Sequence, residues 1–272
     1  MNPTKAIKLD VADILRKKAP KAKVPQFIVN YLRRIAHEKE LNKLFEDNTN
    51  KKNLDFIEGV LQNLEVTTSI EIKGELPPIN GKYIFAGNHP LGGLDGMTIG
   101  LVLGRKYGGK AKLFTNDLLM YIKPLEEMFI PVNKVGLQGK THAETLQNFF
   151  DSDNHLITFP AGMCSRKIKG EIIDLEWKKN FISKAIQYQR DVVPIYFEGR
   201  NSNFFYNLAK IRKFLGIKLN IEMLYLADEM FKQRGNHFSI RIGERIPWQT
   251  FDKTKSQAQW AQWVKDIVYK MR

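Results

Sequence analysis

The sequence predicts an α/β protein, with a mixed, mainly parallel sheet covered by helices on both faces and preceded by an N-terminal helical segment. Two observations carry this prediction. From residue 66 onward, short runs rich in β-branched and aromatic residues alternate with stretches of helical periodicity, as in sheets whose parallel strands are joined by helices. Up to residue 65, apolar residues recur at helical spacing. We therefore divide the chain into a helical segment, 1–65, and an α/β domain, 66–272.

The N-terminal segment is strongly basic. The chain has 272 residues and a formal net charge of +14, and residues 1–34 contain nine Lys or Arg against two Asp. Such clustering predicts an anionic partner. Apolar residues between 7 and 15, and again between 27 and 35, form the stripes of two amphipathic helices. A basic amphipathic helix either lies in a lipid interface or packs on the protein core, and both interpretations stay open.

The predicted elements of the α/β domain follow from local patterns. Runs of β-branched and aromatic residues bounded by Gly, Pro or Asn predict strands at 67–74, 82–88, 111–117, 128–134, 155–162, 191–199 and 237–247. Helical periodicity predicts helices at 95–108, 141–153, 176–190, 203–234 and 256–271. Thr141, with Glu144 three residues later, forms a capping-box pattern that predicts the start of the second of these helices.

Composition excludes several classes of protein. With 43% hydrophobic residues, the chain can bury a core and is not disordered. A single cysteine, Cys164, excludes an intramolecular disulfide framework and a cysteine-built zinc site, which fits a reducing compartment. The five histidines show no paired ligand spacing, so we expect no metal. No apolar run approaches the ~18 residues of a membrane-spanning helix, and the first residues lack a signal-peptide core. We expect a soluble or surface-bound protein.

The clearest functional motif is a Gly-rich turn, AGNHPLGGLDG at 86–96, which follows the predicted strand 82–88. In α/β sheets, ligands bind at the carboxyl ends of strands. The turn carries His89 and Asp95, and its Gly92 and Gly93 allow the chain to fold back. An imidazole beside a carboxylate is a general-base arrangement. No residue of nucleophile type lies between the two, so the substrate would supply its own hydroxyl or amine.

This motif resembles the signature of the glycerophospholipid, PlsC-type acyltransferases, which is Asn-His, a short spacer, then Asp. Three further blocks resemble that family and occur in its order: FIPVNK at 129–134, LITFPAGMCSRK at 156–167 and VVPIYFEG at 192–199. The resemblance implies that 66–272 is an acyltransferase domain. The runs around 159–166, 172–177 and 198–206 are similar to a subgroup containing the acyltransferase portions of hemolysin-type proteins and bacterial enzymes that make amino-acid-containing lipids.

The resemblance also implies roles for the matching residues. His89 would remove the proton of an acceptor hydroxyl, whose oxygen attacks an acyl thioester, and Asp95 would orient His89. Gly162 and nearby N–H groups would approach the developing oxyanion. Ser165 and Arg166 are assigned to an anionic headgroup, with a solvent-exposed charge as the alternative for Arg166. The other candidate substrate-binding residues from the same blocks are Asn88, Gly92, Gly93, Asn133 and Lys134.

The chain departs from the family pattern in several places. Five residues separate His89 from Asp95, where the family usually has four. Ala161 stands where the family has Glu, the Arg of that block is displaced to Arg166, and Lys134 stands where Arg is frequent. The missing Glu puts a glycerol-phosphate headgroup in doubt and leaves the His/Asp chemistry untouched.

Two alternatives are weighed against this interpretation. Cys164 beside Arg166 has the residue types of a thiol nucleophile with His89 as its base, although a single Cys is more often a small buried hydrophobe. The net charge alone would suit a non-enzymatic membrane- or nucleic-acid-binding protein. No nucleic-acid-binding motif is found, and we expect no nucleic-acid partner.

The sequence thus predicts an O-acyltransferase that moves a fatty acyl group from acyl carrier protein or coenzyme A to the hydroxyl of a lyso-lipid. The first choice of acceptor is 1-acylglycerol-3-phosphate or a related lysophospholipid, and the alternative is a lyso-amino-acid lipid of the ornithine or glycine type. The acyl thioester is a co-substrate, and we expect no further cofactor. We expect peripheral binding to the anionic inner face of the cell membrane.

Overall fold

The computed structural model describes residues 8–18, 23–115, 122–131 and 139–272, with the backbone alone at residues 18 and 139–142. In its described residues, the N-terminal segment forms four helices: α1 (Val11–Lys18), α2 (Gln26–Ile35), α3 (Glu38–Asp47) and α4 (Asn53–Asn63). The backbone N–H of Leu9 donates to Asn42 and that of Val11 donates to Glu38. Helix α1 is therefore tied to α3 by hydrogen bonds, and its described apolar side chains are half-buried.

Seven strands of the described part of the chain form the main sheet. They are β1 (Thr67–Ile72), β2 (Tyr83–Gly87), β3 (Ala111–Thr115), β4 (Phe129–Pro131), β5 (His155–Thr158), β8 (Asp191–Phe197) and β9 (His237–Ile242), in the spatial order β1-β9-β8-β2-β5-β3-β4. All neighbouring strands in this order are parallel except β8 and β9, which are antiparallel. The prediction of a mixed, mainly parallel sheet is confirmed.

Helices cover both faces of this sheet, and alternation along β2 shows how. The side chain of Phe85 joins one buried cluster with α4 and α5 (Gly93–Lys106), whereas Ile84 and Ala86 join a second cluster on the opposite face. The second cluster includes residues of α6 (Gly139–Asp151), α7 (Asn180–Gln187) and α10 (Gln257–Lys270). Because α4 shares its core with the sheet, the N-terminal helices pack directly on the α/β region. The division at residue 65 stays a prediction.

The structure corrects three details of the sequence interpretation. A hairpin, β6 (Arg166–Ile168) and β7 (Glu171–Ile173), follows β5 and was not predicted, because its strands are only three residues long. Helix α6 begins at Gly139, so Thr141 lies inside it rather than at its N-cap. The predicted helix 203–234 is interrupted: α8 (Asn203–Phe214) ends, a 3-10 helix covers Ile221–Tyr225, and α9 (Leu226–Lys232) follows.

Within the described ranges, no helix has the length and apolar character needed to cross a bilayer.

Candidate active site

The loop that follows β2 carries His89 to the carboxyl edge of the sheet. Strand β2 lies between β5 and β8, which run parallel to it, so all three strands end at this edge. The side chain of Asn88 links the ends of β2 and β8 by two hydrogen bonds. Phe197 N–H donates to Asn88 Oδ1 at 2.7 Å, and Asn88 Nδ2 donates to Phe197 O at 2.9 Å. Asn88 was predicted to bind substrate; the structure places its buried amide in a bridge between β2 and β8.

His89 and Asp95 lie together, as the motif predicts. The distance between His89 Nδ1 and Asp95 Oδ1 is 3.1 Å; the Asp95 side chain is fully buried and that of His89 is 18% exposed. The Asp95 carboxylate accepts hydrogen bonds from the backbone N–H groups of Leu91, Gly92 and Gly96. These three donors at the start of α5 hold it in one orientation. Since Nδ1 faces Asp95, Nε2 lies on the other side of the imidazole.

The environment of His89 favours its protonated form. Burial works against the imidazolium, but the adjacent Asp95 carboxylate, with a smaller contribution from Asp174, outweighs it and raises the pKa of His89. The ring of Phe159 stacks on the imidazole with 4.1 Å between centroids and 17° between planes. This stacking restricts rotation of the His89 ring away from the orientation in which Nδ1 faces Asp95.

The two glycines of the turn differ in their surroundings. Gly92 has φ +91°, and a Cβ at this position would lie 3.1 Å from Cys164 Sγ and 3.2 Å from Leu226. Both the backbone conformation and the close packing therefore require glycine. Gly93 begins α5, is exposed, and has open space where a Cβ would be. Only Gly92 is needed for the turn that brings His89 back to Asp95.

A buried carboxylate that was not among the predicted site residues, that of Asp174, binds the backbone of the His89 loop. Asp174 Oδ1 accepts hydrogen bonds from the backbone N–H of His89 at 3.2 Å and from Ser165 Oγ at 2.5 Å. Its Oδ2 accepts one from Trp177 Nε1 at 2.9 Å, and Ser165 N–H donates to His89 O. Ser165, predicted to contact the headgroup, is buried in this network. The run IIDLEW contains Asp174 and Trp177, but nothing local indicated that Asp174 reaches His89.

Arg166 lies in a buried ion-pair cluster. Its Nη2 is 2.9 Å from Glu222 Oε1, and Arg212 Nε is 2.8 Å from Glu222 Oε2. Glu222 is fully buried, and Arg166 also donates to the backbone carbonyl of Cys164. Two guanidinium groups around one carboxylate leave one positive charge in excess beside the site. The alternative of a solvent-exposed Arg166 is wrong.

The remaining residues of the 156–167 block pack around the site. Gly162 has φ +69°, and its N–H donates to Phe159 O within a turn. Cys164 is fully buried, and desolvation, together with the nearby Asp95 charge, raises the pKa of its thiol. A buried thiol with a raised pKa is a poor source of thiolate, which disfavours the covalent alternative. Ala161 is buried and joins the core cluster of α7 and α10.

The last two predictions concern a pair of substrate-binding residues and the expectation of no metal. Asn133 and Lys134 lie outside the described residues. Across the ranges 8–18, 23–115, 122–131 and 139–272, no group of three His, Cys, Asp or Glu side chains is arranged to hold a metal ion.

Comparison with known proteins identifies the family of the chain. The chain matches a family model described as "Acyltransferase" over residues 13–272. It is 53% identical over 266 residues to proteins from Phocaeicola vulgatus and Bacteroides thetaiotaomicron, both named lyso-glycine lipid O-acyltransferase; the matches cover 97% of this chain and 95% and 97% of theirs. The crystal structure of a 1-acyl-sn-glycerophosphate acyltransferase, PlsC, from Thermotoga maritima is similar with a TM-score of 0.45 and 17% identity, over 90% of this chain and 92% of that one. The resemblance inferred from the four sequence blocks is confirmed: the chain belongs to the acyltransferase family.

Proposed function

We propose that this enzyme transfers a fatty acyl group from an acyl thioester to the hydroxyl of a lyso-glycine lipid. The choice of acceptor rests on the 53% identity, over almost the whole of both chains, to two proteins named for that reaction. Of the two acceptor classes that the sequence left open, this supports the amino-acid lipid over the lysophospholipid. Ala161, in place of the family's Glu, agrees with a headgroup other than glycerol phosphate.

The geometry of His89 and Asp95 supports direct transfer without a covalent enzyme intermediate. Nε2 of His89 takes the proton of the acceptor hydroxyl, and the oxygen attacks the thioester carbonyl. The tetrahedral oxyanion collapses, the carbon–sulfur bond breaks, and the imidazolium returns its proton to the departing thiolate. Asp95, held 3.1 Å from Nδ1, keeps the proton of the neutral imidazole on Nδ1 and balances the charge of the imidazolium.

The headgroup of the acceptor carries negative charge if its glycine carboxylate is free, and the excess charge of the cluster of Arg166, Arg212 and Glu222 would favour an anion there. Arg166 contributes to this field while it stays paired with Glu222. Ser165 acts indirectly, because its hydroxyl is engaged by Asp174. Because the N–H of Gly162 is engaged by Phe159 O, we keep neighbouring N–H groups as donors to the oxyanion, with Gly162 allowing its close approach. Asn133 and Lys134 stay as contacts to the acceptor or the carrier phosphate.

The acyl donor is acyl carrier protein or coenzyme A, and the basic surface suits both, since each presents negative charge. We place the enzyme on the cytoplasmic face of the membrane as a peripheral protein, because its acceptor is a lipid and its net charge is +14.

The test is transfer of labelled acyl groups from acyl carrier protein and, separately, from coenzyme A. The acceptors are lyso-glycine lipid and 1-acylglycerol-3-phosphate in vesicles, and mass spectrometry identifies the products. Wild type and His89→Ala, the latter shown to be folded by circular dichroism, are compared. We expect product with lyso-glycine lipid from wild type only. Equal product from His89→Ala would contradict the mechanism, and preference for 1-acylglycerol-3-phosphate would contradict the proposed acceptor.

A further inference from the structure

An exposed apolar ridge is formed by α8 and the segment that follows it. Phe214 is 89% exposed and Leu219 is 71% exposed, which is rare for such large apolar side chains. We name this surface the α8 ridge and define it by its exposed apolar residues: Phe204, Ile211, Phe214, Leu215, Ile217, Leu219 and Leu224.

An ordered helix end holds the tip of the ridge in place. Gly216, at φ +67°, ends α8 with two hydrogen bonds: its N–H donates to Lys213 O, and Ile217 N–H donates to Arg212 O. The Arg212 side chain also donates to Ile217 O at 2.7 Å and is paired with Glu222. The exposed apolar side chains are therefore presented by a fixed scaffold.

The exposed stripe of α2 extends the ridge. The hydroxyl groups of Tyr31 and Tyr225 are hydrogen-bonded, and the rings of Tyr225 and Phe204 are in contact at 4.9 Å between centroids. Phe27 lies one helical turn before Tyr31 and is 73% exposed. Two elements distant in sequence thus contribute to the same apolar surface.

The ridge is basic as well as apolar. Residues 199–221 contain Arg200, Lys210, Arg212, Lys213 and Lys218 and no Asp or Glu. The three lysines are exposed. Apolar side chains among cations are the combination that binds an interface of acyl chains and anionic headgroups. A second copy of this chain docked ridge to ridge would bring the same lysines together, and these would repel.

We propose that the α8 ridge docks the enzyme on an anionic phospholipid bilayer, with Phe214 and Leu219 entering the headgroup region. The start of α8 lies at the active site: Asn201, two residues before the helix, donates from Nδ2 to Pro90 O beside His89, and Phe205 in the first turn packs against Cys164. Since α8 has 12 residues, its far end lies roughly 18 Å from there. When the ridge is docked on the membrane, a lipid in the bilayer is therefore close enough to enter the active site at the His89 loop.

Sedimentation with vesicles tests this docking without any substrate, so its outcome is independent of the proposed reaction. The vesicles contain phosphatidylcholine with or without phosphatidylglycerol. We expect the Phe214→Ser, Leu219→Ser double variant to bind at least about tenfold more weakly than wild type, because two apolar side chains no longer leave water. Ile79→Ser is the matched control: Ile79 is 59% exposed, lies in the 77–81 turn outside the ridge, and its replacement should leave binding unchanged.

A charge pair and a depth measurement complete the design. Lys213→Gln with Lys218→Gln should weaken binding to anionic vesicles roughly tenfold at low salt, and more than Lys39→Gln with Lys253→Gln, which removes the same charge elsewhere. In Phe214→Trp, brominated acyl chains should quench fluorescence beyond the quenching seen with wild type.

Three results would overturn the proposal. The first is wild-type affinity in the Phe214→Ser, Leu219→Ser variant. This includes the case in which that variant keeps its affinity and deletion of residues 1–23 alone abolishes binding. The second is equal loss in Ile79→Ser. The third is loss of a dimer, by sedimentation equilibrium, in the ridge variant without a change in vesicle binding.

Discussion

The carboxylate of Asp174 accepts a hydrogen bond from the backbone N–H of His89, 85 residues away in the sequence. The same oxygen binds the hydroxyl of Ser165, whose N–H in turn donates to His89 O. Asp174 is buried, so water screens its charge little, and its position helps to raise the pKa of His89. We therefore regard Asp174 as a positioning residue that fixes both the place and the basicity of the proposed general base.

Asp174→Asn should shift the pH dependence of catalysis. His89 must be deprotonated to act, and its pKa is raised in the folded enzyme by Asp95 and Asp174 against the opposing effect of burial. Removing one of these charges lowers the pKa, so the acid limb of the kcat/KM profile should move to lower pH. The test is to measure kcat/KM against pH for wild type and for Asp174→Asn and to compare the positions of the acid limbs.

Trp177→Phe provides the control, since it removes the hydrogen bond from Trp177 Nε1 to Asp174 and keeps the carboxylate charge. The acid limb of its kcat/KM profile should lie at the same pH as that of wild type. An unshifted limb in Asp174→Asn would show that Asp174 acts only in packing.

Asp95→Asn should lower kcat by roughly three to four orders of magnitude, as expected when a carboxylate that orients a catalytic imidazole becomes an amide. If the amide oxygen of the variant takes the place of Asp95 Oδ2 and accepts from the N–H groups of Leu91 and Gly92, the new amide nitrogen faces His89 Nδ1 and forces the proton onto Nε2. The variant should bind vesicles as well as wild type does. Turnover within tenfold of wild type would rule out the pair as the base.

Cys164→Ala should retain turnover within about threefold. Cys164 is fully buried, its thiol pKa is raised mainly by desolvation, and the proposed transfer does not pass through it. Wild type should also resist inactivation by iodoacetamide as long as it stays folded. Loss of turnover comparable to that of His89→Ala, in a folded Cys164→Ala variant, would instead favour a thiol acyl-enzyme.

His155 should make the fold sensitive to acid. It is buried against Tyr83 and Tyr107, neither ring nitrogen has a hydrogen-bond partner among the described residues, and burial, with a smaller effect of Arg190, lowers its pKa to about 4. The unfolded chain binds this proton near pH 6.5, whereas the folded chain does not until about pH 4. The free energy of unfolding should therefore fall by up to about 3 kcal/mol as pH drops through this window.

Denaturant unfolding at a series of pH values measures this effect. In His155→Phe the fall between these pH values should be smaller by a comparable amount, whatever the variant's stability at neutral pH. Identical pH dependence in both proteins would mean that His155 binds its proton over the same pH range in the folded chain as in the unfolded chain.

The strands were largely predictable because their apolar runs are local and bounded by turn residues, as in 82–88, observed as β2 at Tyr83–Gly87. Predictions failed where a short or interrupted element depends on its neighbours. The β6–β7 hairpin is stabilised by pairing between its two strands, and the break after α8 depends on Gly216 and on Arg212 binding Ile217 O. Neither leaves a periodic signal in the sequence.

Residue order alone was enough to predict the fold class, the family and the proximity of His89 and Asp95, because periodicity is a local property and the two residues share one turn. Packing decided the rest. Asp174 reaches His89, and Glu222 reaches Arg166 across 56 residues, only because helices and hairpin meet at the carboxyl edge of the sheet. Packing likewise determined which apolar residues of α2 and α8 stay exposed: the sheet offers limited area to bury them, and the faces that contact the core leave the others in solvent.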